Sequence, residues 1–524
     1  MTNISQKEID HLHNLIGQSV QEALELFRNY EQRYADDADF RNNRGTFMID
    51  IGSALKDSAL VQQGIQLTEQ VLLSIEDKLR PTFQYNLGNG YYAVHAIERR
   101  KQDFSFNPDT TSLIKAKKHY RDALRWLEHL GNNLRAQLHI NYGNCLSGLG
   151  RSIEAISEYN AALIHVPDHP MAWGNLGVKL ERFAYISRYR THLFDAYEAL
   201  NKALTGTRLE EIGESRARSY FNEVRAHIET ILNKIKKESG HSSEPEMSVN
   251  TSAHHQGYIK FCIKYQLFLN FCLMRQSREH MTEDSVRFSM VTAYNDNTTF
   301  PRLSRVVNEV KERYAAARLL AYEAINMPFD TQPYDEMTFY VDILDYAVYG
   351  IRVAKLKLAF ESAYNILDKI AFFIKDYLRL EMSEKNIYFH TIWKKDNKFR
   401  NEILDRKNYH LYGLYDISRD LQKGNYLSHL REIRNHLTHR YLVPHIEKID
   451  WLTSVDSPEY HLGYRELLDR TIELLQLVRS AVIYLIAFID QEERGKGGKE
   501  NIHIVPQVLP PYRYYPFGPM DGTV

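Results

Sequence analysis

The sequence predicts an all-α protein in which a helical repeat array precedes a helical bundle. In the first half, small residues recur at a fixed interval. Gly143 and Gly177 are 34 positions apart, which is a repeat length found in arrays built from stacked pairs of helices. In the second half, apolar residues recur at alternating intervals of three and four positions, which places them on one face of a helix. No segment has a convincing alternation of polar and apolar residues, the pattern typical of a half-buried strand.

Composition and charge exclude several classes of protein. The chain has 524 residues, which is enough for two or more domains, and its formal net charge is −1. A nearly neutral chain has no overall field that attracts nucleic acid or membranes, so a basic site must be local. The three cysteines, Cys145, Cys262 and Cys272, form no paired motif, which predicts an intracellular protein without disulfides or thiolate-bound metal.

Targeting and membrane segments are not expected either. The N-terminus is too polar for a signal peptide, and the longest apolar run near the C-terminus, Ala481 to Ile489, has nine residues, too few to cross a bilayer. We therefore expect a cytoplasmic protein without a membrane segment. Nothing in the sequence predicts a bound metal or another cofactor.

The clearest repeat, AQLHINYGNCLSGLGRSIEAISEYNAALIHVP, begins at Ala136, and the next opens with MAWGNLGVKL at Met171. Weaker copies, FQYNLGNGYYAVH and FMIDIGSAL, begin at Phe83 and Phe47. These segments resemble tetratricopeptide repeats, in which small residues let paired helices approach and large residues fill the space between them. The resemblance covers roughly residues 40–235, within a first domain that we expect over residues 1–238, and implies a concave surface that binds a protein or peptide partner. A purely structural spacer is the alternative.

A change of composition separates the repeats from a second domain. Residues 239–253, SGHSSEPEMSVNTSA, are rich in serine, glutamate, proline and glycine, as linkers are. We expect a second all-α domain over residues 254–493 and an irregular tail over residues 494–524. The predicted helices of this domain are Tyr258–Met274, Pro301–Asn326, Tyr340–Phe360, Lys355–Leu378 and Tyr464–Gln491, of which Lys355–Leu378 has the clearest apolar stripe.

The stretch REIRNHLTHRYLVPH, residues 431–445, contains three arginines and three histidines. It belongs to a predicted helix over Tyr426–Val443 that Pro444 ends. Arg434 and His439 are five residues apart, which separates them by about 140° around the helix. One helix therefore does not close them into a tight pair, but two copies facing each other across a two-fold axis could. The predicted inward residues are Leu427, Leu430, Ile433 and Leu437.

Arg434, Asn435, His439 and Tyr441 form the pattern Arg-x4-His-x-Tyr in the second-last helix of an all-α domain. This arrangement resembles the HEPN superfamily, over roughly residues 255–492, and the fusion to repeats resembles one branch of it. The spacing Arg-x4-His alone is weak evidence, because three other positions in the chain also fit it.

The resemblance implies a metal-independent ribonuclease that acts as a homodimer through this domain. RNA carries its own nucleophile in the 2′-hydroxyl, a histidine can move the proton, and an arginine can hold the phosphate oxygens. The catalytic residues would be Arg434 and His439, with Asn435 orienting the site or contacting phosphate. The supporting candidates are Asp368 and Glu361, which could instead form ordinary salt bridges, together with Tyr441 and His436.

A second basic segment interleaves aromatic and cationic residues, as single-stranded RNA sites do. It predicts RNA contacts through Trp393, Lys394, Lys395, Lys398 and Arg400. The alternative is a solvated insertion, because acidic residues are mixed into the same segment.

The function expected from these features is a latent endoribonuclease of toxin or antiviral-defence type, whose repeats sense a partner or trigger. The alternative is a non-catalytic adaptor in which both halves bind protein and the basic helix is structural. A third hypothesis, modification of Tyr441 by nucleotide transfer, would require a separate partner enzyme.

Overall fold

The computed structural model describes residues 3–101, 108–187, 190–206, 209, 215–239, 253–270, 284–287, 291–293, 299–327, 333–341, 345–446, 458–496 and 502–504. These residues are mainly helical, which confirms the all-α fold class. The helices of the first half are α1 (Gln6–Gln18), α2 (Val20–Arg33), α3 (Ala38–Leu55), α4 (Ser58–Leu72), α5 (Arg80–Lys101), α6 (Thr111–Leu124), α7 (Asn132–Gly148), α8 (Ser152–His165), α9 (Pro170–Ser187), α10 (Arg190–Leu204) and α11 (Ser215–Ser239). Those of the second half are α12 (Ala253–Lys264), α13 (Thr299–Asn326), α14 (Pro333–Glu336), α15 (Ile351–Tyr377), α16 (Asn401–Leu404), α17 (Tyr409–Asp420), α18 (Ser428–His439) and α19 (Tyr464–Gly495).

Helices α3 to α10 pack in consecutive pairs, each helix against the next. Within two of these pairs a glycine of the first helix faces a tyrosine ring of the second: Gly88 faces Tyr120, and Gly143 faces Tyr159. A β-carbon at Gly143 would lie 2.6 Å from the Tyr159 ring, so this approach requires glycine. The glycines of the repeat pattern therefore serve helix packing, which supports the tetratricopeptide-like interpretation.

The second half is a bundle in which α13, α15 and α19 pack together. The apolar stripe predicted on α15 is confirmed, because its members are almost completely removed from solvent, apart from the half-buried Tyr377. The fully buried members are Leu356, Phe360, Ala363, Leu367, Ile370 and Ile374.

Within the described part of the chain, α19 is the one helix that is long and apolar enough to cross a membrane. Its most apolar window is 89% buried inside the fold, and the helix packs against α13, α15 and α17. A helix that is apolar on all sides is expected at the centre of a large domain. We therefore describe α19 as the core helix of the bundle.

Three small strand pairs depart from the expectation that strands are absent. Strand β1 (Val291–Ala293) pairs antiparallel with β6 (Ile502–Ile504), β2 (Lys394–Lys395) antiparallel with β3 (Lys398–Phe399), and β4 (Tyr441–His445) parallel with β5 (Glu459–Gly463). Each strand has five residues or fewer. Such segments are too short to show the two-residue period on which a sequence prediction depends.

Two predicted helices of the bundle are wrong. The helix that begins before Tyr258 ends at Lys264 rather than at Met274, and Gln266 has a left-handed backbone with φ of 53°. The helix predicted from Tyr340 begins only at Ile351, after Gly350 with φ of 120°. The predicted linker lies almost wholly outside the described residues, and so does most of the tail. The proposed domain boundaries therefore remain a prediction.

The two halves meet where the loop after α7 contacts α17. Gly150 has φ of 83°, and a β-carbon there would lie 2.2 Å from the carbonyl oxygen of Tyr409. A β-carbon at Gly413 would lie 2.5 Å from the carbonyl oxygen of Gly150. Two backbones thus touch directly, which side chains at either position would prevent.

Four buried charged side chains surround this contact, and we call them the junction network: Lys117, Arg151, Asp416 and Asp420. The Nζ of Lys117 donates to Asp416 Oδ2 and Asp420 Oδ1, both at 2.7 Å. The Nη1 of Arg151 donates to the same two carboxylates at 3.2 Å. Two cations of the repeats therefore face two carboxylates of the bundle, and Glu154 and Arg419 add one further partner each, to Arg151 and Asp416.

Gly150→Ala tests the junction contact. We expect it to destabilise the protein, because the strained backbone costs about 1–3 kcal/mol and the β-carbon collides with Tyr409. Thermal denaturation and limited proteolysis would measure the change. Gly424→Ala is the matched control, since Gly424 has a similar φ of 82° but a β-carbon there meets nothing within 4 Å, so Gly150→Ala should lose more stability. An unchanged melting temperature for Gly150→Ala would contradict the contact.

Candidate functional site

The basic stretch folds into α18 and then β4, which corrects the prediction of one helix to Val443. Residue Arg440 is extended, with φ of −143° and ψ of −149°, and the backbone N–H of Tyr441 donates to the carbonyl oxygen of Pro458 at 3.4 Å. Proline disfavours helical backbone in the residue before it, so Pro444 favours an extended segment here.

Helix α18 presents its basic side to a cavity of about 380 Å³, which we call the Arg434 cavity. Its walls come from α15, the loop over residues 386–391, the C-terminal end of α17 and α18 itself. The charged and imidazole side chains that line it are Asp368, His390, Arg431, Arg434 and His439. One protomer thus brings Arg434 and His439 to a single cavity, without the second copy that the helix geometry had suggested.

Arg434 is held in place from three directions. Its Nη2 donates to Asp368 Oδ2 at 3.2 Å, and its Nη1 donates to Asn435 Oδ1 at 3.2 Å. Its guanidinium lies 5.3 Å from the centre of the Tyr364 ring. The Nε–H is buried and has no partner among the described residues. Its neighbours therefore orient the guanidinium, and the Nε–H remains a hydrogen-bond donor for a bound molecule.

Asp368 also connects Arg434 to the loop over residues 386–391. Its Oδ1 accepts a hydrogen bond from the backbone N–H of Phe389 at 3.0 Å. The carbonyl oxygen of Phe389 accepts from Trp393 Nε1 at 2.5 Å and from Ser418 Oγ at 3.0 Å. A single carboxylate thus fixes both the arginine and the loop that faces it.

His439 is the last residue of α18 and is exposed. No hydrogen bond joins its ring to any residue that the structure describes. Cations are favoured at the C-terminal end of a helix, where His439 lies. The imidazole is therefore available to a molecule that enters the cavity.

The remaining predicted catalytic and supporting residues lie away from this lining. His436 packs on the Tyr460 ring with centroids 5.0 Å apart, and its Nδ1 contacts the Glu432 carbonyl oxygen at 2.9 Å. Tyr441 is 66% exposed on β4. Burial raises the pKa of Glu361, an effect that Arg434 and Lys357 oppose. Of the two acids considered, Asp368 is the one that contacts Arg434.

Two residues of the predicted RNA-binding segment are corrected, because they belong to the core. Trp393 is 1% exposed and Arg400 is 7% exposed, so neither can stack on a base from the surface. Lys394 pairs with Asp109 at 2.8 Å. Lys395 and Lys398 are exposed on the β2–β3 hairpin, and they are the members that remain accessible to a polyanion.

Sequence reasoning missed His390 and Arg431 as members of the cavity. Arg431 had a signal, because it precedes Arg434 by three positions and so lies on the same side of α18. His390 had no such signal, since it lies 44 positions before Arg434 on a loop without helical periodicity. The loop reaches α18 through contacts between distant elements, because Asp368 of α15 binds both Phe389 and Arg434.

Among the described residues, no group of three or more His, Cys, Asp or Glu side chains could hold a metal ion. No curated protein matches the chain significantly. A family match covers most of the second half, including α13, α15, α17, α18 and α19, and therefore every side chain that lines the Arg434 cavity. Residues 294–492 match the family described as LA2681-like HEPN.

Proposed function

We propose that the protein is a metal-independent endoribonuclease and that the Arg434 cavity is its active site. The observation that carries the proposal is the meeting of Arg434, Arg431 and His439 on one cavity, inside a region that matches a HEPN family. Guanidiniums can stabilise the charge on the phosphate, and an imidazole can transfer a proton, in RNA cleavage through the 2′-hydroxyl.

The reaction needs charge stabilisation and proton transfer. The 2′-hydroxyl oxygen attacks the neighbouring phosphorus, the bond from phosphorus to the 5′ oxygen breaks, and a 2′,3′-cyclic phosphate and a 5′-hydroxyl result. Arg434, oriented by Asp368 and Asn435, would bind the non-bridging oxygens and stabilise the charge that develops there. His439 would exchange a proton with one of the two reacting oxygens.

The other half of the chain supports a regulatory role. The repeats contact α17 directly, and α17 reaches the cavity through Ser418. We propose that the repeats bind a protein or peptide trigger and restrain the nuclease until then, as a toxin or antiviral-defence protein requires. The restraint leaves a basal activity that is measurable with the purified full-length protein. The homodimer through the bundle is proposed from the HEPN resemblance alone.

The test compares full-length wild type with His439→Ala on a single-stranded RNA that contains all four bases, with a chelator present. Wild type should leave 2′,3′-cyclic phosphate and 5′-hydroxyl ends, and His439→Ala should lose about 100-fold in rate. His11→Ala is the control, because His11 is exposed on α1, far along the chain from α18.

Two outcomes would contradict the proposal. Cleavage that disappears with the chelator and returns with a divalent ion would show metal-dependent chemistry instead. If the protein neither cleaves RNA in vitro nor arrests growth when it is expressed in cells, the non-catalytic adaptor is favoured.

A further inference from the structure

The loop over residues 386–391 brings a second histidine to the Arg434 cavity. His390 lines the cavity together with Arg431, Arg434 and His439. It comes from a different element than His439, which stands at the end of α18. Two imidazoles on one basic cavity are more than a single proton transfer requires.

The position of His390 is fixed by its neighbours rather than by its own ring. Phe389, the preceding residue, is tied to Asp368 through its N–H and to Ser418 through its carbonyl oxygen. Thr391, the following residue, accepts through Oγ1 from the backbone N–H of Tyr388 at 3.0 Å and donates to the Asn386 carbonyl oxygen at 2.6 Å. The loop is therefore pre-organised around the imidazole, as a reacting group requires.

The ring of His390 itself has no hydrogen-bond partner among the described residues. It stacks on the Tyr388 ring, with centroids 5.8 Å apart and an interplanar angle of 24°. Both ring nitrogens of His390 are thus left for a molecule in the cavity.

From this placement we propose that His390 is the general base of the reaction and that His439 is the general acid. This assignment rests on the proposed ribonuclease function. His390 removes the proton from the 2′-hydroxyl while the bond from the 2′ oxygen to phosphorus forms. The bond from phosphorus to the 5′ oxygen breaks, and His439 gives its proton to that oxygen. The two histidines exchange protonation states, and no other reactant is needed.

The charges around His390 agree with the role of base. Its surroundings contain Arg431 and Arg434 from α18 and Asp368 from α15. The surface of His390 is still exposed, but the atoms around its ring partly desolvate the imidazole and lower its pKa; Arg431 and Arg434 lower it further, and Asp368 opposes them. A base must begin neutral, and these groups favour the neutral imidazole.

The test uses two kinds of substrate with the full-length protein. One is the single-stranded RNA described above, whose leaving group needs a proton. The other is a set of the four nucleoside 3′-(4-nitrophenyl phosphates), whose leaving group departs without one. His390→Ala should lose about 100-fold on both kinds of substrate, because each needs the base. His439→Ala should lose as much on RNA but regain most of its rate on the nitrophenyl esters.

The pH dependence gives a second readout that a merely structural role would not move. Wild-type kcat/KM should fall at low pH, where His390 becomes protonated, and at high pH, where His439 loses its proton. In His390→Gln the fall at low pH should disappear. His390 is exposed, so neither variant is expected to lower the melting temperature, and His11→Ala should match wild type in every assay.

The outcomes separate the two proposals. If His390→Ala cleaves RNA like wild type while His439→Ala is impaired, the base assignment is wrong and the nuclease remains. If His390→Gln loses rate but its kcat/KM still falls at low pH, the base assignment is also wrong, because the residue would then only position the loop. Wild type that cleaves neither kind of substrate would overturn both proposals.

Discussion

Arg434→Ala is expected to reduce RNA cleavage by about 1,000-fold or more, because a charged donor at a phosphate in the transition state contributes on that scale. The substitution also leaves Asp368 without its cationic partner beside the cavity. The rate constant for cleavage of a single-stranded RNA at saturating concentration would measure the loss. Arg434→Lys should recover only part of the rate, since lysine keeps the charge but not the planar set of donors.

Arg440→Ala separates catalysis from general attraction of RNA. Arg440 follows His439 directly, is exposed, and does not line the Arg434 cavity. It should weaken RNA binding slightly and leave the saturated rate unchanged. Equal losses at Arg434 and Arg440 would mean that both act through the surrounding positive potential and would argue against a catalytic guanidinium.

The largest effect on stability is expected at the junction network. Asp416→Asn removes one buried carboxylate on which Lys117, Arg151 and Arg419 converge. Lys117 then has Asp420 as its carboxylate partner, and Arg151 has Asp420 and Glu154. Breaking a buried ion pair from one side typically destabilises a protein by about 3–5 kcal/mol. Thermal denaturation would measure this, and limited proteolysis would show whether the repeats and bundle separate first.

A matched substitution in an exposed pair provides the control. Asp376 pairs with Arg302 at 2.5 Å, and the two side chains are 38% and 70% exposed. Exposed pairs contribute little, so Asp376→Asn should change the free energy of unfolding by less than about 0.5 kcal/mol. A similar loss in both variants would contradict the importance of burial at the junction.

The network also predicts sensitivity to acid. Burial raises the pKa of Asp416, but Lys117, Arg419 and Arg151 outweigh burial and hold that pKa well below its usual range. A carboxylate whose pKa is depressed in the folded state contributes stability above its unfolded pKa and loses it as the pH falls towards the folded value. Asp416→Asn should therefore flatten the acid side of the stability profile.

The sequence predicted what depends on local periodicity. The stripe on α15, the long helix α19 and the glycines of the repeats follow from spacing alone, and so does the inward face of α18 formed by Leu430 and Ile433. The cavity could not be predicted from local spacing, because Asp368 and His390 reach Arg434 through contacts between elements that are distant in the sequence. Trp393 shows the opposite failure: its neighbours suggested a surface segment, but its ring fills the space beside Phe389 and Tyr415.

The contact between Gly150 and Gly413 has a consequence for how such a protein can evolve. Fused proteins are often changed by exchanging one whole part for another, with a linker as the cut point. Here the two parts share a surface in which backbone touches backbone and buried charges must match. A different repeat array could replace this one only if it carried a glycine and two cations in the same places, so the repeats and the bundle are expected to be inherited together.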